Sequence, residues 1–175
     1  MGIFGWLFRN KELMKQVIGT SSVSNASGTE VIANATDVFE QIDPTFKLYT
    51  APGKRNDDPN STATLTETPK SDLVVYELQL DATLREMFEW LAKKFNVPPN
   101  YRICLTQHQI RNLAVQCPQL LKESGATFVF FKCHDKYCVA LISRKQDETL
   151  SVDLRLLDFD IKWLGEFHPH VVVPM

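Results

Sequence analysis

Residues 127–156 read TFVFFKCHDKYCVALISRKQDETLSVDLRL, and this pattern predicts three consecutive strands. Residues 127–133 and 137–143 are apolar on both faces, which is typical of strands in the middle of a sheet. Residues 150–156 alternate apolar and polar side chains, as an antiparallel strand does when one of its faces is exposed to solvent. The connections between the three segments are short, so we expect consecutive strands to be antiparallel neighbours.

Two predicted helices with clear start signals precede these strands. Residues 73–80 alternate in the pattern of a strand, and a helix follows it directly. Thr83 with Glu86, and Thr106 with Gln109, match the capping box, in which two side chains satisfy backbone N–H groups at a helix start. With a short strand between the helices, the order of elements is β-α-β-α-β-β-β. This order indicates an α+β domain with a largely antiparallel sheet and helices on one face.

The composition divides the chain into three parts. Residues 50–72 contain only three apolar residues among three prolines and many small polar residues, so we expect a flexible linker. The linker separates a helical N-terminal region, 1–49, from the α+β domain, 73–175. Within the N-terminal region, apolar stripes predict an amphipathic helix over 3–18 and a second helix over 29–42.

The N-terminal helix carries bulky apolar side chains at the very start of the chain, where most proteins are polar. Its apolar residues fall on one side of a 3.6-residue period, and Gly19 ends the pattern. An apolar face alone does not identify what covers it, so a protein partner or second copy, a membrane surface and the protein's own core all stay open. The predicted docking residues are Ile3, Phe4, Trp6, Leu7, Phe8, Arg9, Lys11 and Lys15.

The charge distribution makes nucleic acid an unfavourable partner. The chain has 19 Lys and Arg against 21 Asp and Glu, for a formal net charge of -2. Residues 73–175 are electrically neutral, whereas a duplex-binding domain needs a basic stripe to displace phosphate counterions. The sequence also lacks a run of about 18 apolar residues, so we expect no membrane-spanning helix.

The four cysteines offer the first candidate for chemistry. Charged residues interrupt the apolar N-terminus, so no secretory signal is predicted and the thiols are expected to be reduced in the cytoplasm. If the hairpin connection has four residues, two of the cysteines would face each other across it, and reduced thiols are favoured there over a disulfide bond or a metal site. These two are Cys133 and Cys138, and the others are Cys104 and Cys117.

A second candidate is the pair His168 and His170, with Asp158, Asp160 and Glu166 nearby. Imidazole and carboxylate groups bind transition metals, but nothing in the spacing defines a third and fourth ligand. We therefore expect an exposed C-terminal tail rather than a metal centre, and no cofactor is predicted.

The chain contains none of the glycine-rich loops or nucleophile motifs of common enzyme classes. It is more consistent with a noncatalytic protein-interaction or assembly protein, which docks through its N-terminal helix and recognises a macromolecular partner with its α+β domain. The alternative is a small cytosolic enzyme with a Cys/His-based site. We expect a cytoplasmic protein that binds a protein partner or a second copy of itself, with peripheral attachment to a membrane as the alternative.

Overall fold

The fold combines one mixed sheet with two α-helices, as shown by a computed structural model. The structure describes residues 12–23, 30–31, 38–40, 42–45, 65–66, 71–96, 103–133 and 136–175. Its strands and helices, in chain order, are β1 Met14–Val23, β2 Glu30–Val31, β3 Leu65–Thr66, β4 Ser71–Leu78, α1 Leu84–Lys94, α2 Gln107–Gln116, β5 Ala126–Cys133, β6 Lys136–Arg144, β7 Leu150–Leu156 and β8 His170–Pro174.

The main sheet has six strands in the order β1-β4-β8-β5-β6-β7, and β2 pairs with β3 separately. All neighbours in the main sheet are antiparallel except β5 and β8, which are parallel. The predictions of an α+β class and of a largely antiparallel sheet are therefore confirmed. The hairpin β5–β6 and the strand β7 also lie where the sequence pattern predicted them.

The prediction that both helices cover one face of the sheet is wrong, because they lie on opposite faces. Val74 and Tyr76 of β4 belong to a core that contains α1, the α1-side core. Leu73 and Val75, which alternate with them, belong to a core that contains α2, the α2-side core. A strand that is apolar on both faces needs cover on both, so one helix packs against each side.

Both capping boxes form as predicted at the starts of the helices. Thr83 Oγ1 accepts a hydrogen bond from the Glu86 backbone N–H at 3.1 Å, and a Glu86 carboxylate oxygen accepts one from the Thr83 N–H at 2.7 Å. At α2, Thr106 Oγ1 accepts from the Gln109 N–H at 3.2 Å, and Gln109 Oε1 accepts from the Thr106 N–H at 2.9 Å. Local side-chain chemistry therefore sets the starts of both helices.

Replacing Thr106 with alanine is expected to lower the free energy of unfolding by about 1 kcal/mol, because a helix N–H loses its acceptor. Urea denaturation of the full chain measures the loss. A Thr106→Ser variant keeps the hydroxyl and should retain most of the stability. Equal losses in both variants would contradict the capping explanation.

Residues 14–18 form part of strand β1, so the helix predicted over 3–18 is wrong for these residues. Met14 pairs with Leu78 of β4 and is buried in the α1-side core, whereas Ile18 packs on the α2-side core. Register shifts on both sides of Ile18 change the face toward which the strand points its side chains. The four-residue spacing of Met14 and Ile18, which fits a helix, therefore occurs here in an edge strand with a β-bulge. Residues 3–11 lie outside the described residues.

The other N-terminal predictions are described only in part. Residues 30–31 form a strand, so the helix predicted over 29–42 does not begin there, although a helical turn follows at Phe39, whose carbonyl accepts hydrogen bonds from the N–H groups of Ile42 and Asp43. Of the predicted linker, only 65–66 and 71–72 are described, and these belong to β3 and β4. The linker over the rest of 50–72 stays a prediction.

The C-terminus is not the exposed tail that the sequence predicted. Strand β8 lies in the middle of the sheet between β4 and β5, and its Val171, Val172 and Val173 are fully buried. Three consecutive β-branched residues fit a central strand, since such a strand is covered on both faces. The segment between β7 and β8 is thereby held against the end of β4.

Candidate functional site

The segment between β7 and β8 crosses the end of β4 and is fixed there by backbone contacts. The Ala82 N–H donates to the Trp163 carbonyl at 3.0 Å, and the Trp163 N–H donates to the Ala82 carbonyl at 2.8 Å. Two residues later the Gly165 N–H donates to an Asp81 carboxylate oxygen at 2.9 Å. The Trp163 ring also packs on Phe128 in the α1-side core, with ring centroids 4.8 Å apart. This segment is therefore anchored at both its backbone and its largest side chain.

Gly165 packs closely against the backbone that directly follows β4. A Cβ atom added there would lie 2.6 Å from the Leu80 backbone N and 2.7 Å from the Gln79 carbonyl carbon. Only glycine fits so close to another backbone. The short 3-10 helix Gly165–Phe167 follows, and His168 ends it in the left-handed conformation, with φ 48°.

Exposed apolar side chains concentrate on this anchored segment and on the strand end beneath it. Seven large apolar side chains are exposed among the described residues, and four of them lie here. Phe167 is 65% exposed, although it belongs to a helical turn whose first residue is locked against β4. We call these four the apolar end surface; they are Leu80, Ile161, Leu164 and Phe167.

The exposed charged residues next to the apolar end surface in the chain are predominantly acidic. Four exposed carboxylates and one exposed ammonium group lie on the strand end and on the crossing segment, for a net charge of -3. An apolar area with a charged rim is typical of interaction surfaces, because the rim stays solvated when the centre is covered. The five charged residues are Asp81, Asp158, Asp160, Lys162 and Glu166.

A half-buried ionic cluster around Glu77 lies beside this surface. Glu77 Oε2 is 3.4 Å from Lys122 Nζ, and Glu77 Oε1 is 3.4 Å from His168 Nδ1. Burial raises the pKa of Glu77, but hydrogen bonds from Gln79 and Lys122 and the charge of Lys122 lower it, so that the pKa lies below its usual value. Glu77 is therefore ionised at neutral pH and is held by its partners.

His170 lies opposite Glu77 in the register of β8 and β4 and has a different role. Its Nδ1 is 3.2 Å from the Leu120 carbonyl oxygen, which fits an N–H donor at this ring position. Burial lowers the pKa of His170, so the ring is mainly neutral at pH 7. The two histidines are thus held by different partners, and within the described residues no group of three His, Cys, Asp or Glu residues is arranged to hold a metal ion.

The predicted arrangement of Cys133 opposite Cys138 is wrong. In the hairpin, Cys133 pairs with Lys136 and Cys138 pairs with Phe131, because the connection has two residues rather than four. Cys104, Cys117 and Cys138 form no disulfide bond. Burial raises the pKa of the Cys104 thiol to about 12, so this thiol is protonated at neutral pH and is a poor nucleophile.

The predicted docking residues are described only at their last position. Lys15 is exposed in β1 and pairs with Glu77 in the antiparallel register. The prediction for the others stands on sequence alone, because they lie outside the described residues; they are Ile3, Phe4, Trp6, Leu7, Phe8, Arg9 and Lys11.

The apolar end surface was not among the sites predicted from the sequence. The prediction of an exposed C-terminal tail made no distinction between Trp163 and Phe167, but the structure buries part of the first and exposes the second. The available signal was the three-residue spacing of Ile161, Leu164 and Phe167, which becomes informative only when the neighbouring segment is known to be anchored.

No protein-family model, curated protein or solved structure matches this chain. Among the described residues, the structure contains no helix that is long and apolar enough to cross a membrane.

Proposed function

We propose that this chain is a noncatalytic protein-interaction or assembly protein whose α+β domain recognises a macromolecular partner through the apolar end surface. The observation that carries the proposal is the exposure of Phe167 on a backbone that cannot withdraw it. Gly165 and Trp163 hold that backbone against β4 and the α1-side core. An exposed phenylalanine on an anchored turn is a preorganised contact, so little conformational entropy is lost when a partner covers it.

The chemistry of the surface supports a protein partner. Covering a large apolar side chain contributes about 1.5–3 kcal/mol, and a central aromatic residue with a polar rim is a common energetic centre of protein interfaces. The rim with its net charge of -3 favours a partner that places Lys or Arg around an apolar centre.

The N-terminal segment supplies the second part of the proposed function. Its apolar residues, with Arg9 and Lys11 beside them, suit docking to a protein partner or to a second copy in the cytoplasm, and the membrane surface is the alternative. Since β1 begins at Met14, residues 3–11 of the proposed docking set precede that strand, whereas Lys15 is exposed within it. The enzyme alternative receives less support, because burial raises the pKa of the Cys104 thiol and makes this cysteine a poor nucleophile.

Replacing Leu164 and Phe167 together with serine is expected to weaken binding of the partner at least about tenfold, since the centre of the interface loses its apolar contacts. The test captures proteins on the full chain from cell extract, identifies them by mass spectrometry and measures the affinity of each purified candidate by calorimetry. The matched control is Val115→Ser, at an exposed residue of α2 outside the surface.

The proposal is supported if a purified candidate binds the wild-type chain and Val115→Ser equally and loses affinity for the double variant. Equal affinity for all three chains would overturn it. Thermal melting of each variant shows whether the fold is retained, and the exposed positions of the substitutions should leave the melting temperature nearly unchanged.

A further inference from the structure

We infer that the N-terminal residues 3–8 of the same chain cover the apolar end surface when no partner is bound. This contact would be intramolecular and would have to be displaced by a partner. The inference uses the same surface as the proposed function, but it does not require that a partner exists.

The path of the chain brings the N-terminal segment to this surface. The Gln79 N–H donates a hydrogen bond to the Leu13 carbonyl at 2.9 Å, so the start of β1 lies beside the residue that precedes Leu80. Gly165 touches the backbone of the same two residues, Gln79 and Leu80. The chain therefore enters the sheet at the end where the apolar end surface lies.

The length of the segment allows the contact. Five peptide units separate Leu13 from Phe8, and an extended chain of this length spans at most about 18 Å. Leu80 follows Gln79 directly, so residues 3–8 have the surface within reach. A short tether of this kind raises the local concentration of the segment to about the millimolar range, which favours the chain's own segment over a second copy at low protein concentration.

The chemistry of the segment complements that of the surface. Residues 3–8 read IFGWLF, with five large apolar side chains in six positions, and Arg9 and Lys11 follow. The surface presents exposed apolar side chains, and the exposed charged residues next to them in the chain sum to a net charge of -3. Aromatic rings would cover the exposed apolar side chains while the two basic residues meet the carboxylates.

The inference is tested by NMR on the full chain at low protein concentration. Replacing Trp6 and Phe8 together with serine is expected to shift the backbone amide resonances of Leu80, Leu164 and Phe167, because their cover is removed. The reciprocal variant, Leu164→Ser with Phe167→Ser, should shift the indole N–H resonance of Trp6. The matched control is Asn10→Ser, which changes a polar residue of the same segment and should leave these resonances in place.

A competition experiment measures the same contact. A synthetic peptide of residues 1–11 is expected to bind the Trp6→Ser, Phe8→Ser chain at least about tenfold more tightly than the wild type, whose own segment competes for the surface. Adding Leu164→Ser and Phe167→Ser to that chain should abolish peptide binding.

Unchanged resonances in both double variants would overturn the inference. Shifts that appear only as the protein concentration rises would also overturn it, because they would indicate docking between two copies. Shifts that appear only with phosphatidylcholine–phosphatidylserine vesicles would overturn it too, because they would indicate a membrane contact. If the resonances shift as expected but no protein partner depends on Phe167, this inference stands and the proposed function fails. If a protein partner depends on Phe167 but the resonances do not shift, only this inference is overturned.

Discussion

Replacing Asp43 with alanine is expected to lower the free energy of unfolding by about 3 kcal/mol, because it leaves the buried Val152 N–H without an acceptor and removes the hydrogen bonds that hold the turn at Thr45. Asp43 is 4% exposed. One carboxylate oxygen accepts hydrogen bonds from the Thr45 N–H and hydroxyl, at 2.9 Å and 2.6 Å. The other accepts from the Val152 N–H at 3.1 Å and so connects an N-terminal turn to the edge strand β7. Urea denaturation of the full chain measures the loss.

Asp147→Ala is a matched control for this prediction. Asp147 also accepts hydrogen bonds from the N–H and hydroxyl of a threonine two residues later, Thr149, but it lies in an exposed turn and both of these bonds are local. Its replacement should therefore cost much less than that of Asp43. Equal losses would show that the local turn, rather than the contact with β7, accounts for the role of Asp43.

The contribution of Asp43 should also depend on pH. Burial raises the pKa of this carboxyl, but hydrogen bonds from Thr45 and Val152 and the charge of Lys145 lower it, so that the pKa in the folded chain lies below its usual value. A lowered pKa means that the stabilisation is fully present above the unfolded pKa of about 4 and is lost as the pH falls through the folded value. The difference in unfolding free energy between the wild type and Asp43→Asn should shrink below about pH 4, and a constant difference would contradict this explanation.

Replacing Gly165 with alanine is expected to destabilise the chain by about 2–3 kcal/mol, because the added Cβ overlaps backbone atoms that cannot rotate away. The overlapping atoms are the Leu80 N at 2.6 Å and the Gln79 carbonyl oxygen at 2.8 Å. For a chain of this length the loss corresponds to a fall in melting temperature of about 4–12 °C, which calorimetry measures. The 3-10 helix should also move away from β4 and carry Leu164 and Phe167 with it.

Gly19→Ala is the control for the overlap. A Cβ added at Gly19, in the edge strand β1, meets no atom within 4 Å, so this substitution should leave the melting temperature unchanged or raise it slightly. Hydrogen exchange then separates the two effects of Gly165→Ala. Faster exchange confined to 161–168 would indicate local displacement of the surface, whereas an unchanged melting temperature in Gly165→Ala would contradict the packing argument.

Gly165 and Trp163 explain how the apolar end surface is supported. Gly165 sets the separation between the crossing segment and β4, and Asp81 accepts a hydrogen bond from its N–H. Trp163 anchors the same segment to Phe128 in the α1-side core. The proposed docking through Phe167 therefore depends on Gly165 and Trp163, which are not among the exposed residues of the surface.

The sequence alone determined the elements whose signals are local. Thr83 and Thr106 begin helices because each capping box is completed within four residues. Strands β5, β6 and β7 were predictable because their apolar patterns are clear, continuous in the first two and alternating in the third, and their connections are short. Such features depend on neighbouring residues, which the sequence states directly.

Only the tertiary structure decided which distant segments meet. Met14 joins β4 as an edge strand and Val172 lies between β4 and β5, yet each takes its partners from segments far away in the chain. The same is true of Gly165, whose contact with Leu80 leaves Phe167 exposed. The sequence around an apolar residue does not show whether the fold buries that residue or exposes it. Its exposure is set by what packs over it, and that depends on strand order and long-range backbone hydrogen bonds rather than on local composition.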